Sequence, residues 1–399
     1  MKLSQKVQAC GLSPMRKFHP YAVAAEEKGR EIFHLNIGQP DIETPAAFFD
    51  AIRAFDDKVV EYAPSPGIPA LVEAIRGYYA RLGVSYETDD ILITTGGSEA
   101  LLFLMMCILD PGSEVLIPEP FYPNYNTFVT AAGGTIRPIP TTVEDGYRYA
   151  TREKLEAGIN ENTRAIMVTN PGNPTGLVLT EEELQTIVDV ALEHDLYIIG
   201  DEVYREFFYG GSGLAMSLAQ FPEAAQNVVL IDSVSKRFSA CGARIGCLVS
   251  KNKALMAQAM KFCQARLSVA TLDQVASAAL YNVDADYFTA VRQEYQLRRD
   301  TVLRELKKIP GVTVSQPDGA FYLMAALPVE DADAFQTWLL EEFEDNGQTV
   351  MFAPGAPFYA TPGKGKNEIR IAYVLKKERL ERAIELLALG LAKYNQNDL

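Results

Sequence analysis

Seven short runs rich in β-branched residues recur at 91–94, 114–117, 135–139, 165–169, 197–199, 228–231 and 245–249, most of them separated by helical stretches. Runs this short, mostly spaced by helices, favour parallel over hairpin pairing. Such pairing needs crossover connections, which predicts a mainly parallel seven-stranded sheet covered by helices on both faces. Ligands of such sheets sit beyond the carboxyl ends of the strands, at their βα turns. The chain's unusual polar strings fall there, each just after an apolar run. Before this block, the spacing predicts an N-terminal arm over 1–45, with a helix at 20–28 and a strand at 32–37. Helices follow at 46–55 and 68–82, with a Pro-rich loop holding Tyr62 between them. After it come helices at 253–266, 273–281 and 286–308, strands at 312–314 and 320–324, a helix at 332–346, a strand at 369–373 and a closing helix at 377–394. The expected division is 1–45 as arm and part of a small domain, 46–285 as a large domain, and 286–399 as a smaller α+β domain, so that the small domain draws on both termini.

Four strings carry chemistry. Asp232-Ser233-Val234-Ser235-Lys236-Arg237 follows a strand, with Arg244 eight residues after the lysine. A lysine flanked by hydroxyls and an arginine suits a Schiff base on an aldehyde cofactor whose phosphate those groups grip. Thr95-Gly96-Gly97-Ser98-Glu99 is a strand, two glycines and a helix start, where backbone N–H groups can approach a phosphate. An ordinary βα turn capped by Ser98 fits the same string. Asn170-Pro171-Gly172-Asn173-Pro174 fixes a turn that presents an amide. Gly200-Asp201-Glu202-Val203-Tyr204 ends a very apolar strand in a carboxylate, which burial makes costly unless a cation faces it. A protonated pyridine nitrogen would be that cation, and a capping Asp with no ligand is the plain alternative. Tyr122, after the 114–117 strand, offers either a stacking face or loop packing.

The bulk properties narrow the partners. Acidic residues outnumber basic ones 52 to 37, a net charge of −15, which argues against nucleic acid or an anionic membrane. The N-terminus shows no apolar signal-peptide core, and the longest apolar run, at 100–109, is too short to span a bilayer. Five scattered cysteines without a C-x-x-C pair fit free thiols in a reducing cytoplasm, Cys241 as a small packing residue. Three histidines, at 19, 34 and 194, form no cluster, so no metal site is expected. No glycine fingerprint for a dinucleotide or a nucleoside triphosphate occurs.

Together these strings resemble the class I and II aminotransferases of fold type I, the aspartate aminotransferase superfamily, in their order and spacing: 28 residues from Asn173 to Asp201 and 35 from Asp201 to Lys236. The resemblance implies pyridoxal 5'-phosphate as cofactor. It implies that Lys236 binds the cofactor aldehyde and moves the substrate proton, that Asp201 faces the ring nitrogen, and that Asn173 and Tyr204 reach the ring oxygen. By the same resemblance Tyr122 stacks on the ring, while Gly97, Ser98, Ser233, Ser235 and Arg244, with the Glu99 backbone, hold the phosphate. Tyr62 would reach the phosphate of a neighbouring subunit, which implies a homodimer with shared sites. Arg370 would clamp the substrate α-carboxylate, with Gly38 close by.

Two dicarboxylate clamps of aspartate-using relatives are missing: no Arg stands near Asp273-Gln274, and Ser98 replaces a Lys after the two glycines. Arg16, on the arm, is the candidate replacement. The expectation is an aminotransferase working by a ping-pong mechanism with an amino acid donor, aspartate first, and a 2-oxo acid acceptor such as 2-oxoglutarate. A C–S β-lyase and an aminotransferase for alanine or aromatic donors are the nearest alternatives. A non-catalytic cofactor-binding protein and a dinucleotide-dependent oxidoreductase are more distant ones.

Overall fold

A computed structural model describes residues 1–211 and 213–397. The first strand, β1 (Glu31–His34), lies outside the main sheet. The next seven build that sheet: β2 (Ile91–Thr95), β3 (Glu114–Pro118), β4 (Thr135–Ile139), β5 (Thr163–Thr169), β6 (Tyr197–Asp201), β7 (Val228–Ser233) and β8 (Ile245–Val249). Their order across the sheet is β2-β8-β7-β6-β5-β3-β4. All neighbours are parallel except at β8, which runs antiparallel to both β2 and β7. The expected mainly parallel sheet is therefore present, with one reversed strand that the apolar runs did not signal.

Continuous apolar runs make these strands, because both faces are covered. In β7, Val228 and Leu230 face one core cluster and Val229 and Ile231 the other. Pro138 is tolerated because β4 is an edge strand. Gly246 in β8 is required by packing: a Cβ there would lie 2.5 Å from Gly96 C and 2.6 Å from Gly97 N. Strand β8 thus presses against the start of the helix Gly96–Ile108.

The remaining strands are β9 (Thr313–Val314), β10 (Tyr322–Ala326), β11 (Gln348–Met351), β12 (Ala353–Pro354) and β13 (Glu368–Ala372). An antiparallel sheet has the order β12-β13-β10-β9, while β1 and β11 pair in parallel. Leu35 stitches the two: its N–H donates to Met351 O and its carbonyl accepts from Ala372 N, each at 2.7 Å. Of the boundaries that differ from the sequence reading, three matter most. Strand β1 stops at His34 rather than 37, freeing Asn36 to Gly38 to run into the site. The helix over 96–108 begins at Gly96, so Ser98 lies inside it and Thr95 is the N-cap. The helix expected over 332–346 is Ala332–Glu341, and β11 follows after Asn346 and Gly347, both at positive φ. No helix among the described residues is long and apolar enough to cross a membrane.

Candidate active site

The reversal of β8 decides where the site forms. Strands β2, β5, β6 and β7 run the same way and end at Thr95, Thr169, Asp201 and Ser233. Because β8 runs oppositely, its start, and Arg244 just before it, share that edge. Arg244 sits at φ 53°, a conformation uncommon for a side-chain-bearing residue. Its Nη2 lies 2.6 Å from where a Cβ on Gly96 would stand, and the positive φ of Gly96 (+71°) favours glycine there. A cavity of about 680 Å³ opens here, and its wall includes Gly97, Ser98, Tyr122, Asn173, Asp201, Tyr204, Ser233, Ser235, Lys236, Arg244 and Arg370.

The helix Val234–Arg237, capped by Ser233, raises Lys236 from the end of β7. Its Nζ donates to Gly38 O at 2.7 Å, 198 residues away, and lies 3.8 Å from Cys241 Sγ. The same carbonyl accepts from Tyr322 Oη at 3.3 Å, and Tyr322 and Tyr204 share a hydroxyl contact of 3.0 Å. Gly38 is fixed by this crowding, since a Cβ would fall on the Tyr322 hydroxyl.

Asp201 is the one carboxylate lining the cavity among the described residues. Burial pushes its carboxyl up to about 6, against the pull of the Tyr125 hydroxyl and the Val203 amide. Tyr125 Oη donates to Asp201 Oδ2 at 2.6 Å and contacts Thr169 Oγ1 at 2.9 Å. Arg370, from β13, is 4% exposed. Its Nη1 donates to Asn173 Oδ1 at 3.1 Å, its Nη2 to Asn36 O at 2.8 Å, and its Nε has no partner. The guanidinium lies over Tyr322 and Phe358, and burial lowers its proton affinity. Among the described residues no acid pairs with Arg370, Arg244, Lys236 or Arg16. Lys17, beside Arg16, is instead held by Asp333 at 2.6 Å.

Gly38 and Arg16 also line the cavity, as do His19 and His34. Two sequence-named residues lie outside it. The Glu99 carboxylate accepts from Thr95 N at 2.8 Å and faces Arg266 at 3.6 Å, while Tyr62 is 81% exposed near Thr271. Gln274 is tied to backbone, accepting from Ile68 N and donating to Val269 O. Sequence reasoning missed Tyr125, Tyr322 and Asn36, and it read Cys241 as packing although its thiol lines the cavity. Tyr125 was within reach, because it sits one helical turn past Tyr122 and its partner Asp201 was already singled out.

Known proteins resemble this chain in sequence and in fold. The family model "Aminotransferase class I and II" matches residues 30–387. An aspartate aminotransferase of Bacillus subtilis is 32% identical, with 99% of this chain and 100% of that protein covered. A probable aspartate/prephenate aminotransferase of Aquifex aeolicus is 33% identical, with 96% of each covered. A Thermus thermophilus aspartate aminotransferase mutant superposes with a TM-score of 0.89 at 29% identity, covering 98% of this chain and 100% of that one. The Rhizobium meliloti enzyme gives the same TM-score at 28% identity, covering 98% and 99%. With a family model spanning most of its length and relatives above 30% identity end to end, the chain belongs to the class I and II aminotransferases.

Proposed function

We propose that this aminotransferase is pyridoxal-phosphate-dependent and aspartate-type. It would transfer the α-amino group of a dicarboxylic donor to a 2-oxo acid such as 2-oxoglutarate by a ping-pong mechanism. We also propose that it acts as a cytoplasmic homodimer. The observation that carries the reading is the charge inventory of the cavity: among the described residues, four cations without an acid partner line it against one buried carboxylate, Asp201. Arg370 is buried and Lys236 partly so, and a buried cation left unpaired by the fold calls for an anion from outside it, while the exposed Arg16 and Arg244 add positive charge at the cavity wall.

The residues fit the cofactor. Arg244, against the bare backbone of Gly96 and Gly97 and near Ser98, Ser233 and Ser235, would hold a phosphate. Asp201, raised by burial yet held by Tyr125, would hold the proton of a ring nitrogen, and Tyr122 would cover the ring. Asn173 and Tyr204 would reach the ring oxygen. When bound, pyridoxal phosphate supplies an aldehyde that condenses with amines and an electron-withdrawing ring.

The chain's own residues do the rest. Arg370 would clamp the α-carboxylate with its free Nε and Nη edge, orienting the Cα–H bond toward Lys236. The Lys236 amine would carry that proton between the substrate Cα and the cofactor, in one direction in each half-reaction, while the Gly38 carbonyl, itself held by the Tyr322 hydroxyl, fixes where Nζ stands. Arg16 would meet the second carboxylate. A Thermus thermophilus aspartate aminotransferase has been solved with maleate, a dicarboxylate. Tyr62 would reach across to a second subunit. The division into 1–45, 46–285 and 286–399 belongs to the same reading, and limited proteolysis tests it.

The direct test is the absorbance of the reconstituted protein as amino acids are added without acceptor. Aspartate should bleach the visible band and 2-oxoglutarate restore it. Bleaching by alanine or aromatic donors alone would overturn the dicarboxylate assignment. A persistent band with pyruvate and ammonia accumulating from cystathionine would overturn the transfer reaction itself.

A further inference from the structure

Each of three site residues has a chain neighbour that points the other way, into a common buried cluster: Glu202 beside Asp201, Asp232 beside Ser233, and Arg237 beside Lys236. Extended backbone sends successive side chains to opposite faces of a sheet, so one face of the β6 and β7 ends builds the cavity and the other builds the cluster. Arg205 completes it. All four residues are at most 1% exposed.

The bonding is dense. Arg237 Nη2 donates to Asp232 Oδ1 at 2.9 Å and Oδ2 at 2.7 Å, and Arg205 Nη2 reaches Oδ2 at 3.3 Å. Tyr79 Oη donates to the same oxygen at 3.2 Å, and Oδ1 also accepts from Ser233 N at 2.8 Å. Arg205 pairs with Glu202 through Nη1, and Glu202 is further held by Ser217 Oγ and Leu218 N. The Arg237 guanidinium lies 4.2 Å from the Tyr78 ring centroid.

We propose that this cluster is a positioning device: it locks the backbone that carries Asp201, Ser233 and Lys236, and its arginines, which also face Glu202 and Glu206, offset the Asp232 charge that opposes an ionised Asp201. The adjacency of β6 and β7, with Asp201 opposite Ile231 in the register, places the two carboxylates one residue apart on neighbouring strands. Asp232 accordingly raises the Asp201 carboxyl and Lys236 lowers it. The other groups facing Asp201 are Tyr125 from the helix Asn124–Ala132, Tyr122 before that helix and Tyr204 after β6. All three are tyrosines whose burial keeps them protonated. Arg237 is thus a positioning residue, acting through Asp232 and through the helix that carries Lys236. The inference rests on reading Asp201 as the site's anion.

The test is a carboxyl carbon-13 NMR titration of the cofactor-free full-length chain, with the Asp201 signal assigned by its absence from D201N. Wild type should titrate at about 6. R237M should shift the midpoint upward by about one pH unit. R237K should recover most of that, and D232N should shift the midpoint downward. Displacements of opposite sign cannot come from general loosening. Shifts of the same sign in R237M and D232N, or no shift in either, would overturn the proposal. If R237M does not fold, D232N and the double variant D232N/R237M decide. A downward shift in D232N that the double variant retains supports the proposal, and an unmoved D232N overturns it. The titration needs no cofactor, so its failure leaves the aminotransferase reading standing, and a failed aspartate half-reaction leaves the titration readable.

Discussion

Replacing Arg370 by methionine should separate binding from folding. Without substrate the guanidinium is buried, donates two hydrogen bonds, to Asn173 and Asn36, and lies over two aromatic rings, but meets no acid. Two hydrogen bonds from a charged group at about 1.5–3 kcal/mol each and cation–π contact of about 1–2 kcal/mol favour it by about 4–8 kcal/mol. Desolvating an unpaired charge costs a comparable several kcal/mol. The balance is near zero, so R370M should change the unfolding free energy by less than about 2 kcal/mol, whereas truncating a buried pair already formed in the fold costs about 3–5 kcal/mol. Substrate changes the account. Losing one partner of a buried charge pair between guanidinium and carboxylate costs about 2–5 kcal/mol, a fall in kcat/KM for aspartate of about 30- to 5,000-fold. Urea denaturation without ligand and steady-state kinetics measure the two quantities. A stability loss above about 3 kcal/mol, or an aspartate kcat/KM within about fivefold of wild type, would refute the reasoning.

Tyr125→Phe removes the hydroxyl that holds Asp201 ionised, so the carboxyl should rise further; kcat/KM should drop about 10- to 100-fold, the worth of a hydrogen bond to a charged group. For wild type, Asp201 is anionic above its midpoint and neutral below it, so the cofactor-free carboxyl protonates as pH falls through about 6. A ring cation facing it favours the anion, so the acid limb of kcat/KM in the loaded enzyme should lie below that value; a limb above 6 would contradict the assignment. Arg16→Ala should lower kcat/KM about tenfold or more for aspartate and leave alanine unchanged; equal losses for both donors would sink the side-chain role. Gly246→Ala should destabilise by about 1–3 kcal/mol through overpacking against Gly96 and Gly97, read as a lower midpoint in urea.

The sequence was most legible where local rules suffice. Apolar runs announced the strands, and glycine, asparagine and aspartate strings just beyond them announced the cavity wall, because an α/β sheet gathers its ligand groups at one edge. The reversal of β8 was not legible, since an apolar run buried on both faces carries no mark of direction. Tyr322 carries no local mark that separates it from the core aromatics it packs among, and only its through-space contacts with Gly38 and Tyr204 give it a further role. The ionic cluster was invisible for the same reason, its partners lying up to 35 residues apart, Glu202 to Arg237. Only the end of the overrun in the 332–346 helix was avoidable: Asn346-Gly347 is a strong turn signal and both residues adopt the left-handed conformation it requires, but the helix already stops at Glu341.

Lysine 236 rests against a carbonyl 198 positions earlier, on a segment that Leu35 ties to both β11 and β13. A fragment spanning 46–285 would keep Lys236, Asp201, Arg244 and Asn173, yet it would lack both that carbonyl and the Arg370 guanidinium. The lysine's surroundings therefore belong to the two ends of the chain as much as to its middle. A trimmed or circularly rearranged version that separates residues 31–38 from 348–372 would carry every residue of the main sheet and still present an amine with nothing to hold it in place.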